Sequence, residues 1–320
     1  MTVKQWIRLF LSNLKHLNKS PNTIRTYGYD LEQFLLYIRN NKLSFRMDTH
    51  SFKKTCIRYF ESLHTFYDED QQKEREYDEA SINRKRSCIR SFVRFLFTSK
   101  YISEDFSDLI EFTRKSLSPP HCLLNQIEIQ TLTHIHDQRI RHGKTEDLRF
   151  MHRRNKLAFL TLLYTGIKVW EVLLLKWSNI HFEKNQIVVP KRKGLDTRIV
   201  HLSPLLALEF RMYLDHMKKL EHFDDSFLLG YIFFGTGKTP TYAINPKTIE
   251  RMIDSIVSEA CITHKNITSQ SLRHTMAHHH LQLNKGLKEL TPLLGYSRNS
   301  VTKHMYLRPA SQKKQFGKHS

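Results

Sequence analysis

Pro119 and Pro120 stand side by side within residues 113–123 (TRKSLSPPHCL), a stretch with no hydrophobic period. Two adjacent prolines remove two amide donors and push the residue before them out of the helical region, so no continuous helix can cross. The chain is therefore expected to divide into a first domain over 1–112, a linker over 113–123 and a second domain over 124–320. At 320 residues it is long enough to build two cores.

The first domain reads as helical. Lys4, Arg8 and Lys15 interrupt an apolar face of Trp6, Ile7, Phe10 and Leu14, which describes an amphipathic helix rather than a secretory signal. Ser20-Pro21 is a helix start, since serine caps and proline suits the first turn. Ile24, Tyr27, Leu31, Phe34, Leu35 and Ile38 then recur at helical spacing. Residues 67–80 (YDEDQQKEREYDEA) are charged and read as a solvated loop or helix end. After Ser81 another helix buries Ile82, Ile89, Phe92, Val93 and Leu96. Its Arg86, Arg90 and Arg94, four apart, share another face. That row is either an ordinary solvated face or a row facing phosphates.

In the second domain, Asn125-x-x-Glu128 reads as a capping box. Residues 154–176 read as a helix broken at Thr165-Gly166. Residues 186–191 and 197–202 read as two short strands joined by Gly194-Leu195-Asp196. Most of the rest, to about Tyr306, reads as helix. The class is mainly α, with a small antiparallel sheet in the second domain.

Charge selects the partner. Lys and Arg number 51 against 31 Asp and Glu, which leaves +20. An excess of that size repels itself unless an anion sits against it, and nucleic acid is the first such anion to consider. No membrane partner is expected, because the longest apolar stretch, 157–164, is far below the roughly 20 residues of a spanning helix. Cys56, Cys88, Cys122 and Cys261 are scattered without a CxxC pair, which fits a reducing, cytoplasmic setting and no zinc module. Gly235-Thr236-Gly237-Lys238-Thr239 is a poor phosphate loop, because Ile232 stands where that pattern needs glycine and Pro240 blocks the helix that should follow. His274 and His278 share a helix face but lack a third ligand in register, so no metal and no other cofactor is expected.

What remains is an ordered series: Tyr164-Thr165-Gly166-Ile167-Lys168-Val169-Trp170-Glu171, then Lys193-Gly194 and Arg198-Ile199-Val200, then Ser271-Leu272-Arg273-His274-Thr275, then Leu294-Gly295-Tyr296, then Tyr306 ten residues further on. In this order and spacing the chain resembles the tyrosine recombinase (phage integrase) family over nearly its whole length. SPNTIRTYGYDLEQFLLYI and INRKRSCIRSFVRFLF resemble that family's N-terminal DNA-clasping module.

The resemblance implies a site-specific recombinase or integrase that cuts and rejoins double-stranded DNA through a 3′-phosphotyrosyl link. Neither ATP nor a metal is then needed, and four protomers assemble on two DNA sites. It makes Tyr306 the nucleophile, Arg273 a clamp on the non-bridging phosphate oxygens, and Lys193 the acid that protonates the departing 5′-oxygen. Guanidinium forks suit two oxygens at once, and an ammonium on a turn suits proton delivery. Lys191 and Arg192 beside Lys193 are candidate phosphate contacts.

Three positions depart from the family pattern. Lys168 stands where the first arginine is usual, and keeps the charge without the fork. Gln270 stands where histidine is usual, and an amide cannot shuttle a proton. Tyr296 stands where His or Trp is usual, and can still pack and donate. Either the chain is a divergent working recombinase, or catalysis has decayed and a DNA-binding accessory protein remains. A basic helical nucleic-acid-binding regulator outside the family is the third reading. With Gln270 in place, His304 or His274 becomes a candidate to take the proton of Tyr306.

Overall fold

The computed structural model describes residues 1–63, 65–68, 73–112, 122–190, 197–220, 223–235, 240–283 and 286–296. The chain divides into two compact units, Met1–Ser116 and Leu117–Ser320.

The first unit contains α1 (Val3–His16), α2 (Pro21–Asn40), α3 (Thr49–Glu61), a two-stranded ribbon of β1 (Thr65–Asp68) and β2 (Lys73–Glu76), and α4 (Glu79–Thr98). Each helix has a side-chain cap: Thr2, Ser20, Asp48 and Asp78 accept from the amide three residues on. The apolar stripes meet in an aromatic core. Phe52 packs edge-on to Trp6, Phe34 and Phe92, and Phe92 lies 5.3 Å from Phe10. In the α2 stripe, Leu31, Phe34 and Ile38 are buried, while Ile24, Tyr27 and Leu35 pack at its margin.

The charged stretch 67–80 corrects the loop or helix-end expectation. Residues 65–68 and 73–76 pair as the antiparallel ribbon, with Thr65 opposite Glu76 and Asp68 opposite Lys73. Phe66 and Tyr67 are adjacent in β1 and β2 is wholly charged, so neither strand alternates apolar with polar and the pattern hides both. The next helix starts at Glu79, earlier than expected, because Asp78 caps it.

The second unit is built around α6 (Glu146–Thr165), which follows α5 (Gln126–Arg141). From Arg154 to Leu163 every residue of α6 is buried, the mark of a helix with neighbours all round. Those neighbours include α5, α8 (Pro204–Met217), α10 (Pro246–Glu259) and α11 (Ser269–Gln282). Between α6 and α8 lie α7 (Val169–Leu173) and a sheet of β3 (Ile180–His181), β4 (Gln186–Val189) and β5 (Arg198–His201), antiparallel in the order β3-β4-β5. The short α9 (Ser226–Leu229) and α12 (Leu287–Leu293) complete the unit. The Asn125–Glu128 capping box forms, with the Asn125 amide donating to Glu128 at 2.7 Å and the Glu128 amide to Asn125 at 2.9 Å.

Two details differ from expectation. α6 begins at Glu146 rather than Arg154, because Thr145 caps it and Glu146 and Asp147 suit its positive N-terminal end. β3 is an additional strand of only two residues, too short to carry a period. The four cysteines are free thiols. No helix among the described residues is long and apolar enough to cross a membrane.

Candidate active site

Four of the expected site residues lie on three neighbouring turns of the second unit. α6 ends at Gly166, whose φ of 63° is left-handed, and two residues later Lys168 caps α7. Glycine is required at 166 on two counts. Its φ penalises any side chain, and a Cβ would sit 2.1 Å from Met276 Cε on α11. The turn delivers the Gly166 carbonyl to Arg273, whose guanidinium donates both to it and to the Leu294 carbonyl just past α12. Arg273 is only 2% exposed, and its Cζ lies over the Tyr296 ring, 5.2 Å from the centroid. Gln270, one turn earlier on α11, is exposed. Its amide nitrogen lies 3.2 Å from His274 Nε2. Burial, reinforced by the charge of Arg273, pulls His274 below the usual imidazole range. The imidazole is thus neutral near pH 7, and the amide donates to it.

Two further side chains complete the cluster, Glu171 and Arg198. The Glu171 carboxylate accepts both ends of the Arg198 fork at 2.7 Å and the Lys168 amide at 2.7 Å. Burial alone would raise the Glu171 carboxyl. The Arg198 hydrogen bonds, the Lys168 amide and the charges of both residues outweigh it and hold the carboxyl below its ordinary value. Arg198 Nε also donates to the Leu293 carbonyl at 2.9 Å. Both carbonyls at the end of α12 therefore meet a guanidinium, the favourable sign for a helix C-terminus. Sequence reading included Glu171 and Arg198 in the ordered series but gave them no task. The spacing of Lys168 and Glu171 was a signal for a cap, whereas nothing in the sequence pairs Glu171 with a residue 27 positions on.

Lys191, Arg192, Lys193 and Tyr306 lie outside the described residues, as do His304 and Thr236 to Thr239. Arg86, Arg90 and Arg94 belong to the first unit, on α4. Arg90 and Arg94 both reach Asp108, the latter at 3.2 Å, and Arg94 Nε donates to Ser107 at 3.1 Å. Arg86 lies 5.9 Å from the Phe60 ring centre. Part of this row is thus neutralised within its own unit. Among the described residues no group of three or more His, Cys, Asp or Glu is placed to hold a metal ion.

With this geometry established, comparison with known proteins adds the following. The model of the phage integrase family matches residues 124–313, and that of the phage integrase N-terminal SAM-like domain matches residues 7–100. The chain is 25% identical over 305 residues to a tyrosine recombinase XerC of Halalkalibacterium halodurans, covering 93% of this chain and 91% of the relative. It is 28% identical over 288 residues to a XerC of Oceanobacillus iheyensis, covering 89% and 85%. In fold it is similar to the Tn1549 transposon integrase in complex with a circular intermediate DNA, at 17% identity and a TM-score of 0.64 over 96% of this chain and 95% of that one. A lambda integrase dimer bound to a COC′ core site gives a TM-score of 0.61 at 16% identity, over 98% and 80%.

Proposed function

The chain belongs to the phage integrase family and has the site-specific recombinase function of that family; from that premise we propose that it works on duplex DNA through Tyr306, Arg273, Lys168 and Lys193. The phenol oxygen of Tyr306 attacks a backbone phosphorus and gives its proton to an imidazole, with His274 and His304 the candidates. The bond to the 5′-oxygen breaks, and that oxygen takes a proton from Lys193. The phosphodiester energy is kept in the 3′-phosphotyrosyl ester. The freed 5′-hydroxyl of a partner strand then attacks this ester and releases Tyr306. Arg273 and Lys168 face the charge that grows on the non-bridging oxygens, Gln270 donates a hydrogen bond there, and Tyr296 holds the Arg273 plane.

The observation that carries this reading is the anchoring of Arg273. A guanidinium fixed by two carbonyls and a ring is oriented before substrate arrives, which is what stabilisation of a developing oxyanion requires. Both units engage DNA, with Arg86, Arg90 and Arg94 in the first and Lys191 and Arg192 in the second. Four copies act on two sites, in the service of a mobile element or plasmid.

The test is a nicked suicide duplex bearing the element's own ends. A denaturant-resistant protein–DNA species forms with the native chain and is lost in Tyr306→Phe. The departures at Lys168 and Gln270 favour a second reading, a DNA-binding accessory protein on the same scaffold. DNA binding by the native chain with no covalent species would establish that reading instead.

A further inference from the structure

At its N-terminal end α6 carries Glu146, Arg149, Phe150 and Arg153 at helical spacing, so they share one face. The last turn of α8 packs against that face, with the His216 ring stacked on Phe150 at 6.2 Å between centres and 15° between planes. Lys219, exposed, follows just past the end of α8. At a rise of about 1.5 Å per residue, Arg149 stands about 25 Å along α6 from Gly166, so this cluster does not touch the phosphate that is cut.

Glu146 is the acid of the cluster. One carboxylate oxygen accepts from Arg149 Nη2 at 2.5 Å, and the other stands 3.6 Å from His216 Nε2. The Glu146 side chain is 65% exposed, and an ion pair so open is worth little and gives way readily to another anion. Nor does it balance the cations around it. Burial, reinforced by the charges of Arg153, Lys219 and Arg149 and opposed by Glu146, pulls His216 below the usual imidazole range. Arg153 Nε and His216 Nε2 are buried with no hydrogen-bond partner, a condition that native folds rarely leave unanswered.

We propose that Glu146 holds the place of a phosphate, and that Arg149, Arg153, His216 and Lys219 form a second DNA-backbone site, filled by a phosphodiester outside the cleaved bond when the Glu146 side chain swings out. The openness of the site selects this ligand. A free ion gains little at so exposed a place, whereas a phosphate on a duplex already held elsewhere on the chain arrives at high effective concentration. The inference rests on the reading of the chain as a recombinase of duplex DNA, and its test keeps the two apart. The full chain is titrated at several salt concentrations with two duplexes bearing the element's own ends. One is the shortest that is bound in preference to unrelated sequence. The other extends it by about 20 base pairs on each side, well beyond the roughly 7 base pairs that about 25 Å spans.

Arg153→Gln with Lys219→Gln should weaken binding of the extended duplex about 5- to 10-fold and lower the slope of log affinity against log salt by about 1. Glu146→Gln, which removes the competing carboxylate, should tighten it several-fold. On the short duplex, binding and single-turnover cleavage should stay within about twofold of the native chain for every variant. If the double variant does not fold, as judged by thermal melting, Lys219→Gln and Glu146→Gln, both at exposed side chains, carry the comparison. Equal losses on the two duplexes would place these residues on the surface that grips the cleaved segment and overturn the second site. Unchanged affinity for the extended duplex would overturn it too. In that case, heat stabilisation of the DNA-free chain by inorganic phosphate, lost in the double variant, would assign the cluster to a small anion. A chain that forms no covalent species on either duplex fails the catalytic reading instead, and the difference in binding between the duplexes still decides the second site.

Discussion

Gly166→Ala tests the turn on which the site depends. A residue with a Cβ pays about 1–2 kcal/mol to hold the left-handed conformation. The new methyl would also sit 2.1 Å from Met276 Cε and 3.3 Å from Leu294 Cδ2. The methionine tip is flexible and can swing away, so overpacking adds about 1–3 kcal/mol rather than more. A total of about 3 kcal/mol lowers the melting temperature of a unit of this size by roughly 6–12 °C. Because the Gly166 carbonyl anchors Arg273, covalent complex formation should also fall about 10- to 100-fold. Thermal melting and single-turnover cleavage of a suicide duplex measure the two effects. Adding Met276→Ala removes the clash and leaves the backbone cost, so the double variant should recover part of the stability. A Gly166→Ala protein that melts within a degree of the native chain and cleaves within twofold of its rate would refute the account of the turn.

Lys168→Arg should restore the fork usual in the family and raise the cleavage rate, by at most the roughly 10²–10³-fold that one oriented donor contributes; a slower enzyme would show that this turn has adapted to lysine. Asp108→Asn should free Arg90 and Arg94, tighten DNA binding several-fold and steepen the slope of log affinity against log salt by about 1–2, as read in a salt titration; an unchanged slope would mean that the row does not face phosphates. Both His136 ring nitrogens lack hydrogen-bond partners, and burial, with the nearby cations Arg139 and Lys156, pushes the imidazole down to about 3. The unfolded chain therefore takes up this proton below the ordinary imidazole value of 6.5 while the folded one does not, so stability falls as pH drops, by about 2 kcal/mol at pH 5. Denaturant titrations at pH 5 and 7 should show this component, and His136→Phe should abolish it.

The parts of the fold legible from sequence are those in which one local rule decides. Ser20-Pro21 and Asn125–Glu128 start helices because a cap needs only residues three apart. The α2 stripe was readable because burial on one face leaves a period of 3.6. The β1–β2 ribbon was not legible, since β1 sets Phe66 beside Tyr67 and β2 is wholly charged, so neither four-residue strand alternates apolar with polar. α6 was placed late because its buried half, from Arg154, is apolar enough to mask the capped, charged turn before it. In the site, Lys168, Gln270 and Arg273 could be singled out by their order along the chain, but the fork between Arg198 and Glu171 could not. Its partners are brought together by the sheet and by the end of α12, and neither contact has a local signature.

The anchoring of Arg273 also bears on why Lys168 and Gln270 can depart from the family pattern. A fixed guanidinium supplies orientation by itself, and its two carbonyl partners come from backbone that any sequence able to make the turns provides. Lys168 then needs to supply charge more than geometry, and its place is set by the Glu171 carboxylate that accepts its amide. Gln270 is the harder loss, since no rearrangement lets an amide take a proton. Its contact with a neutral His274 places an imidazole one helical turn away, with a lone pair engaged by a group that can release it. If His274 accepts the Tyr306 proton by displacing that amide, His274→Ala should lower the cleavage rate more than Gln270→Ala, which loses only the hydrogen bond to the phosphate. A loss confined to Gln270→Ala would instead make the amide the working group and His274 its support.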